Sequence, residues 1–226
     1  MNIKKKDKIG IVGWRTGERS FGIGTAYYEF LSQYGKEIII LKPNDPVRKD
    51  LDLLVLPGGA DVSPARYGEV PSLRTGSSNA VLEYFDINRL PAYIDQNTPM
   101  FGICRGFQTL QVHFGGKLVQ HLPYHPASGV NRANLVHGLI EINDWVKVDG
   151  KVNSIHHQGV LPAEMAPGLN VMFVSDTDDQ VVEAFRHVDK PIAGVQWHPE
   201  EIYDSISNDI IMTIAGIKKE LPKLEV

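Results

Sequence analysis

Phe101-Gly102-Ile103-Cys104-Arg105-Gly106-Phe107-Gln108 joins an apolar run to a helix-like segment and carries the only cysteine of the chain. Glycines two positions before and two after Cys104 leave room for a tight turn between strand and helix. Such a turn points a side chain at solvent, and a helix N-terminus behind it favours the reactive thiolate. A lone cysteine is otherwise a small buried hydrophobe, and the glycine bracket by itself leaves both readings open.

A second segment weighs on the choice. Gly194-Val195-Gln196-Trp197-His198-Pro199-Glu200 ends an apolar strand with His-x-Glu. A cysteine nucleophile needs a base to take and return a proton, and the base needs an acceptor to orient it. His198 and Glu200 sit two apart just past a strand end, so both can turn toward one site. Taken alone, the pair is equally a surface histidine beside a carboxylate.

Working outward, Ile9 to Val12, Glu37 to Leu41, Leu51 to Leu56 and Met100 to Ile103 read as buried strands. Helical spacing covers 21–34, 81–96 with Pro91 kinking or splitting it, and 105–114. This alternation predicts an α/β fold with a parallel sheet and helices on both faces. After Gly115-Gly116 the rhythm changes to short strand candidates at 118–119, 135–142, 171–175, 181–186 and 192–196. These predict a small antiparallel extension, and 203–219 reads as a last helix. Residues 60–79 and 122–136 are rich in turn formers and read as loops over the site.

Composition bounds the function. The 226 residues suit one domain spanning 1–226, with 42% hydrophobic and 22% charged residues. A net charge of -4 argues against a nucleic-acid partner. No apolar run approaches a membrane span, and the N-terminal lysines precede only a short strand, which is not a signal peptide. A single free thiol fits a reducing, cytoplasmic setting. No cofactor is implied. The histidines lack the i, i+4 helical pairing of a zinc motif, and Pro123 breaks the one such interval, His121 to His125, so no metal is expected.

Four blocks in order resemble the class I glutamine amidotransferase superfamily. They are Leu56-Pro57-Gly58-Gly59-Ala60-Asp61-Val62, the Cys104 block, Asn153-Ser154-Ile155-His156-His157-Gln158-Gly159, and the His198 block. The third makes the chain most similar to the γ-glutamyl-γ-aminobutyrate hydrolase-like (peptidase C26) branch of γ-glutamyl hydrolases. The resemblance implies a flavodoxin-like, open, mostly parallel sheet. It also implies hydrolysis of a γ-glutamyl amide through a Cys104 thioester, with His198 and Glu200 completing the triad, and it puts Gln108 near the glutamyl group. His156 and His157 are then candidates for substrate contact, although neighbours on a strand face opposite sides and one is expected to be packed.

The backbone amides of Gly59 and Arg105 are expected to form the oxyanion hole, with Gly58 as a substrate-binding position beside them. Arg66, Arg74 and Arg132 in the two loops hint at an anionic leaving group, while solvated loop charges remain the plainer reading. The alternative is a glutaminase subunit that delivers ammonia to a separate synthase partner. A homodimer stays open.

Overall fold

Leu53 to Leu56 is buried along its whole length, and alternation along the strand sorts its side chains to opposite faces. Leu54 and Leu56 join a core with Leu82, Phe85, Tyr93, Phe107 and Leu110. Leu53 and Val55 join another with Tyr27, Phe30, Ile210 and Ile211. A strand that is apolar on both faces must be covered on both, which is why helices flank this sheet on either side.

The computed structural model describes residues 5–18, 20–123, 125, 131–142 and 150–217. In chain order the strands are β1 (Lys6–Val12), β2 (Trp14–Arg15), β3 (Phe21–Gly22), β4 (Gly35–Leu41), β5 (Leu53–Leu56), β6 (Met100–Ile103), β7 (His137–Glu141), β8 (Lys151–Val152), β9 (Leu169–Ser175), β10 (Val182–His187) and β11 (Ile192–Val195). The helices are α1 (Thr25–Leu31), α2 (Ala80–Asn88), α3 (Leu90–Asp95), α4 (Arg105–His113), α5 (Pro199–Ile202) and α6 (Ser205–Ile214). A nine-stranded sheet runs β4-β1-β5-β6-β11-β10-β9-β7-β8, and β2 and β3 form a separate hairpin. From β4 through β11 the pairings are parallel. From β11 through β8 they are antiparallel, which is the predicted extension.

Several boundaries depart from expectation. The helix expected over 21–34 opens with the strand β3, and α1 starts only after Gly24. The first strand, expected from Ile9, already begins at Lys6. The segment 81–96, by contrast, divides at Pro91 as expected, because Pro91 cannot donate a hydrogen bond and sits in the first turn of α3. Residues 118–119 make only an isolated bridge, Val119 to Gly159. The last helix is α6, closed by Gly216 at φ 65°, and residues 218–219 of the expected span lie outside the described residues. Between β9 and β10 the left-handed turn position that glycine would favour is held by Gln180 at φ 45°. Among the described residues no helix is long and apolar enough to cross a membrane.

The glycine bracket has a packing cause. A Cβ on Gly106 would land on the Leu56 carbonyl, and one on Gly102 would come within 2.7 Å of the Gly106 backbone. Helix α4 therefore lies directly on β5 and β6, closer than any side chain permits. Gly106→Ala is expected to cost about 3 kcal/mol or more, because backbone and not a pliable side chain must move. A urea midpoint lowered accordingly at unchanged slope would show this. A loss below about 1 kcal/mol would mean that helix and sheet can separate freely.

Candidate active site

Strands β5, β6 and β11 are neighbours and run the same way, with Leu56 beside Gly102 and Val195 beside Ile103. The chain leaving each strand therefore emerges at one edge of the sheet, where ligands of such folds bind. Pro57-Gly58-Gly59 follows β5, Cys104 follows β6, and Gln196-Trp197-His198 follows β11.

Cys104 turns from strand to helix at φ 50° and ψ −103°, in a region that non-glycine residues rarely enter. Its amide donates to the Val195 carbonyl at 2.8 Å, and its carbonyl accepts from the Gln108 amide at 3.1 Å. The strain is thus pinned on both sides. The thiol is buried, and Cys104 and the His198 ring line the same cavity. On the far side of the ring, Nδ1 lies 2.6 Å from Glu200 Oε1. Burial by itself would lower the basicity of His198. The adjoining Cys104 and Glu200 charges outweigh it and raise the imidazole to about 10. Arg132 Nη2 also lies 3.2 Å from Nδ1. Both groups there are donors once Nδ1 carries its proton for Glu200, so the shorter Glu200 contact defines the tautomer.

Tyr27, which the sequence did not single out, and Asn153, quoted there only as part of a block, complete the arrangement. Asn153 Oδ1 accepts from the His198 amide at 2.8 Å, and its Nδ2 donates to the His198 carbonyl at 3.1 Å and to the Arg132 carbonyl at 2.6 Å. It clamps the backbone that carries the imidazole. Tyr27 offers its hydroxyl oxygen to the Gly58 amide at 2.9 Å. Burial, then the charges of Glu200 and Cys104, push its phenol well above the ordinary range and keep it protonated. Its signal in the sequence was indistinguishable from a helix core aromatic. A Cβ on Gly58 would sit 2.7 Å from His198 Cε1 and 2.8 Å from the Tyr27 hydroxyl, so only glycine fits there.

Arg105 opens α4, and as the first helical residue its N–H has no partner within the helix. Its side chain points away from the thiol. Asp86 Oδ2 accepts from Arg105 Nη2 at 2.8 Å, from Arg66 Nη1 at 2.8 Å and from Thr109 Oγ1 at 3.2 Å. Arg66 is therefore taken up inside the protein, and Arg74 is exposed. Of the three arginines noted in the sequence, Arg132 faces the cavity at Cys104, with its Nε held by Glu201 at 2.6 Å. Tyr124 of the same loop lies outside the described residues.

Two cavities meet at Cys104. One of about 400 Å³ is lined by Trp14, Tyr27, Gly58, Asn79, Arg132 and His198, among others. The other, about 250 Å³, is lined by Gly59, Asp61, Gln108, His156, His157 and Gln158. Gln108 is held by bonds from its Nε2 to the Gln158 carbonyl at 2.9 Å and to Gln196 Oε1 at 3.1 Å. His157 pairs with Asp61 at 2.9 Å at the rim, while His156 is buried with Nδ1 on the Gln158 carbonyl. Both histidines line this cavity, and residues 153–157 are not a strand, so strand alternation does not sort them.

The Peptidase C26 family profile matches residues 23–200. The glutamine amidotransferase-like protein YvdE of Lactococcus lactis is 34% identical over 160 residues, 66% of this chain and 66% of that protein. Protein NtpR of Enterococcus hirae is 34% identical over 173 residues, 70% of this chain and 71% of its own length. The chain thus aligns with about two thirds of the length of these relatives. A solved glutamine amidotransferase from Thermotoga maritima shares the fold, with a TM-score of 0.57 at 14% identity over 86% of this chain and 76% of that one.

The pairing of His198 with Cys104 has a titration consequence. In Cys104→Ala the imidazole loses the first of the charges that raise it, so its midpoint falls from about 10 toward the ordinary histidine value. NMR titration of the ring protons in the two proteins checks this, and equal midpoints would mean that sulfur and ring do not interact.

Proposed function

The chain belongs to the Peptidase C26 family, and on that premise we propose that it hydrolyses γ-glutamyl amides through a γ-glutamyl thioester on Cys104. The family supports a cysteine-type hydrolase of the class I glutamine amidotransferase kind. The observation that carries the finer reading is the strained Cys104 elbow facing His198, itself 2.6 Å from Glu200, where two cavities join.

In this reading the Cys104 thiolate attacks the γ-carbonyl carbon and a C–S bond forms. The carbonyl electron pair moves to oxygen, where the amides of Gly59 and Arg105 receive it. As the pair returns, the C–N bond breaks and His198 gives its proton to the departing amine. Water then enters, His198 takes its proton, and hydroxide attacks the thioester. The C–S bond breaks, releasing glutamate and restoring the thiolate. Glu200 and Asn153 hold the ring in line throughout, and the neutral Tyr27 phenol supports the Gly58 turn.

The glutamyl part fits the smaller polar cavity beside Gln108 and His157, which leaves the larger cavity for the amine. Arg132 favours an amine that carries a carboxylate or phosphate. His156 then contributes from beneath the pocket wall rather than at its rim. The Gly59 and Arg105 amides are worth testing through the rate, since loss of one such donor costs on the order of 10²–10³.

Cys104→Ala is expected to abolish turnover with the fold intact, and His198→Asn to lower kcat by several orders of magnitude, because acid and base are lost together. The decisive assay offers the isolated chain glutamine and a panel of neutral, cationic and anionic γ-glutamyl amides. Turnover of γ-glutamyl amides with thioester trapped on Cys104 by mass spectrometry is the expected result. Activity on glutamine alone, and only with a synthase partner added, would instead identify an ammonia-delivering subunit. A loss of less than about tenfold in His198→Asn would remove the ring from the chemistry.

A further inference from the structure

Behind the active site, where no helical motif brought histidines together in the sequence, the antiparallel half of the sheet does so. His137 on β7, Glu183 on β10, His125 and His156 are all buried, and Glu183 is fully enclosed. One donor atom from each of His125, His137 and Glu183 lies within 4.8 Å of the others. His156 Nε2 approaches Glu183 Oε1 at 3.9 Å, and His137 Nε2 approaches the same oxygen at 3.4 Å. Among the described residues, Nε2 of all three histidines and both oxygens of Glu183 lack a hydrogen-bond partner.

The other ring nitrogens are engaged. His137 Nδ1 meets the Gly138 carbonyl at 3.1 Å, and His156 Nδ1 meets the Gln158 carbonyl at 2.9 Å. A carbonyl can only accept, so Nδ1 of each carries the proton and each Nε2 turns a bare lone pair toward Glu183. His125 Nδ1 is steadied by Ser154 Oγ at 3.1 Å. Rings anchored through one nitrogen to a carbonyl, with the other nitrogen free, are prepared as ligands.

We propose that His125, His137 and Glu183, with His156 as a further donor, bind one divalent transition-metal ion of the zinc class. Imidazole and carboxylate donors select that class over magnesium or calcium. A neutral, protonated Glu183 could satisfy only one of the facing lone pairs, leaving the others buried and unpartnered, which is costly. A cation takes all of them. Donors about 2.0–2.2 Å from zinc stand about 3.4 Å apart in a tetrahedron, so the cluster needs only a modest inward closing.

The ion would tie β7, β10 and the segment of His125 to the turn whose Ile155, His156 and His157 line the cavity at Cys104. It is a structural centre, separate from the thiol.

The test uses untagged protein in a Cys104→Ala background, so that the thiol cannot bind metal. Zinc is added in excess, the protein is desalted, and metal content is measured alongside competition with a chelating dye. About one zinc per chain, with a raised Tm, is expected for the parent. Glu183→Gln and His137→Ala should each weaken binding at least about tenfold, the least that even outer-shell changes typically cost. His113→Ala, half-buried on α4 and not part of the cluster, should bind as the parent does. Circular dichroism establishes that the variants fold. Absence of stoichiometric zinc in the folded parent overturns the site and assigns the cluster to a carboxylic acid hydrogen-bonded to one imidazole. Undiminished affinity in both Glu183→Gln and His137→Ala overturns it as well.

Discussion

The close approach of Gly106 to the Leu56 carbonyl governs the geometry at Cys104. It sets the depth at which α4 meets β5 and β6, and so the place where the chain must reverse. That reversal forces Cys104 to φ 50°. The strain is held by the bond from its amide to Val195 and by the first turn of α4 rather than relaxed. A thiol presented on rigid elements keeps its aim without ordering anything at the moment of reaction. The same turn leaves the Arg105 amide unclaimed by the helix.

The second half of the proposed machinery arrives on β11. Its neighbour relation to β6 brings His198 to the sulfur, and three contacts then fix the ring: Glu200 on Nδ1 and Asn153 on both sides of the residue's own peptide groups. Trp197, fully buried between them, donates to Asp204 and Ser207 and ties the strand end to the start of α6. The imidazole is thereby braced from the side chain and from the backbone, which is what the proton carrier of the proposed reaction would require.

Much of this was visible in residues alone. The glycines around Cys104 and the His-Pro-Glu segment announced the elbow and its partner, because tight turns and strand ends leave strong local marks. Leu53 to Leu56 and Met100 to Ile103 were legible as strands because apolar runs on both faces have few alternatives. What stayed hidden depends on residues distant in the chain. Tyr27 looks like any aromatic of a helix core, and only the fold puts its hydroxyl beside Gly58. Asn153 looked like a loop former. Arg66 looked free until Asp86 was seen to claim it. The four side chains behind the site come from segments spread over 125–183, and spacing rules made for helices could not anticipate a cluster assembled across strands. The helix expected over 21–34 began too early because Phe21 suits a strand edge as readily as a helix face.

Asp86 carries a consequence for how this sequence can drift. A single oxygen of that carboxylate serves Arg66, Arg105 and Thr109, with Arg66 and Arg105 nearly enclosed. Removing the acid strands two like-charged guanidiniums against each other, while removing either arginine leaves the remaining contacts tolerable. Inheritance is therefore asymmetric at this node: a lineage can lose an arginine first and the aspartate later, but hardly in the reverse order.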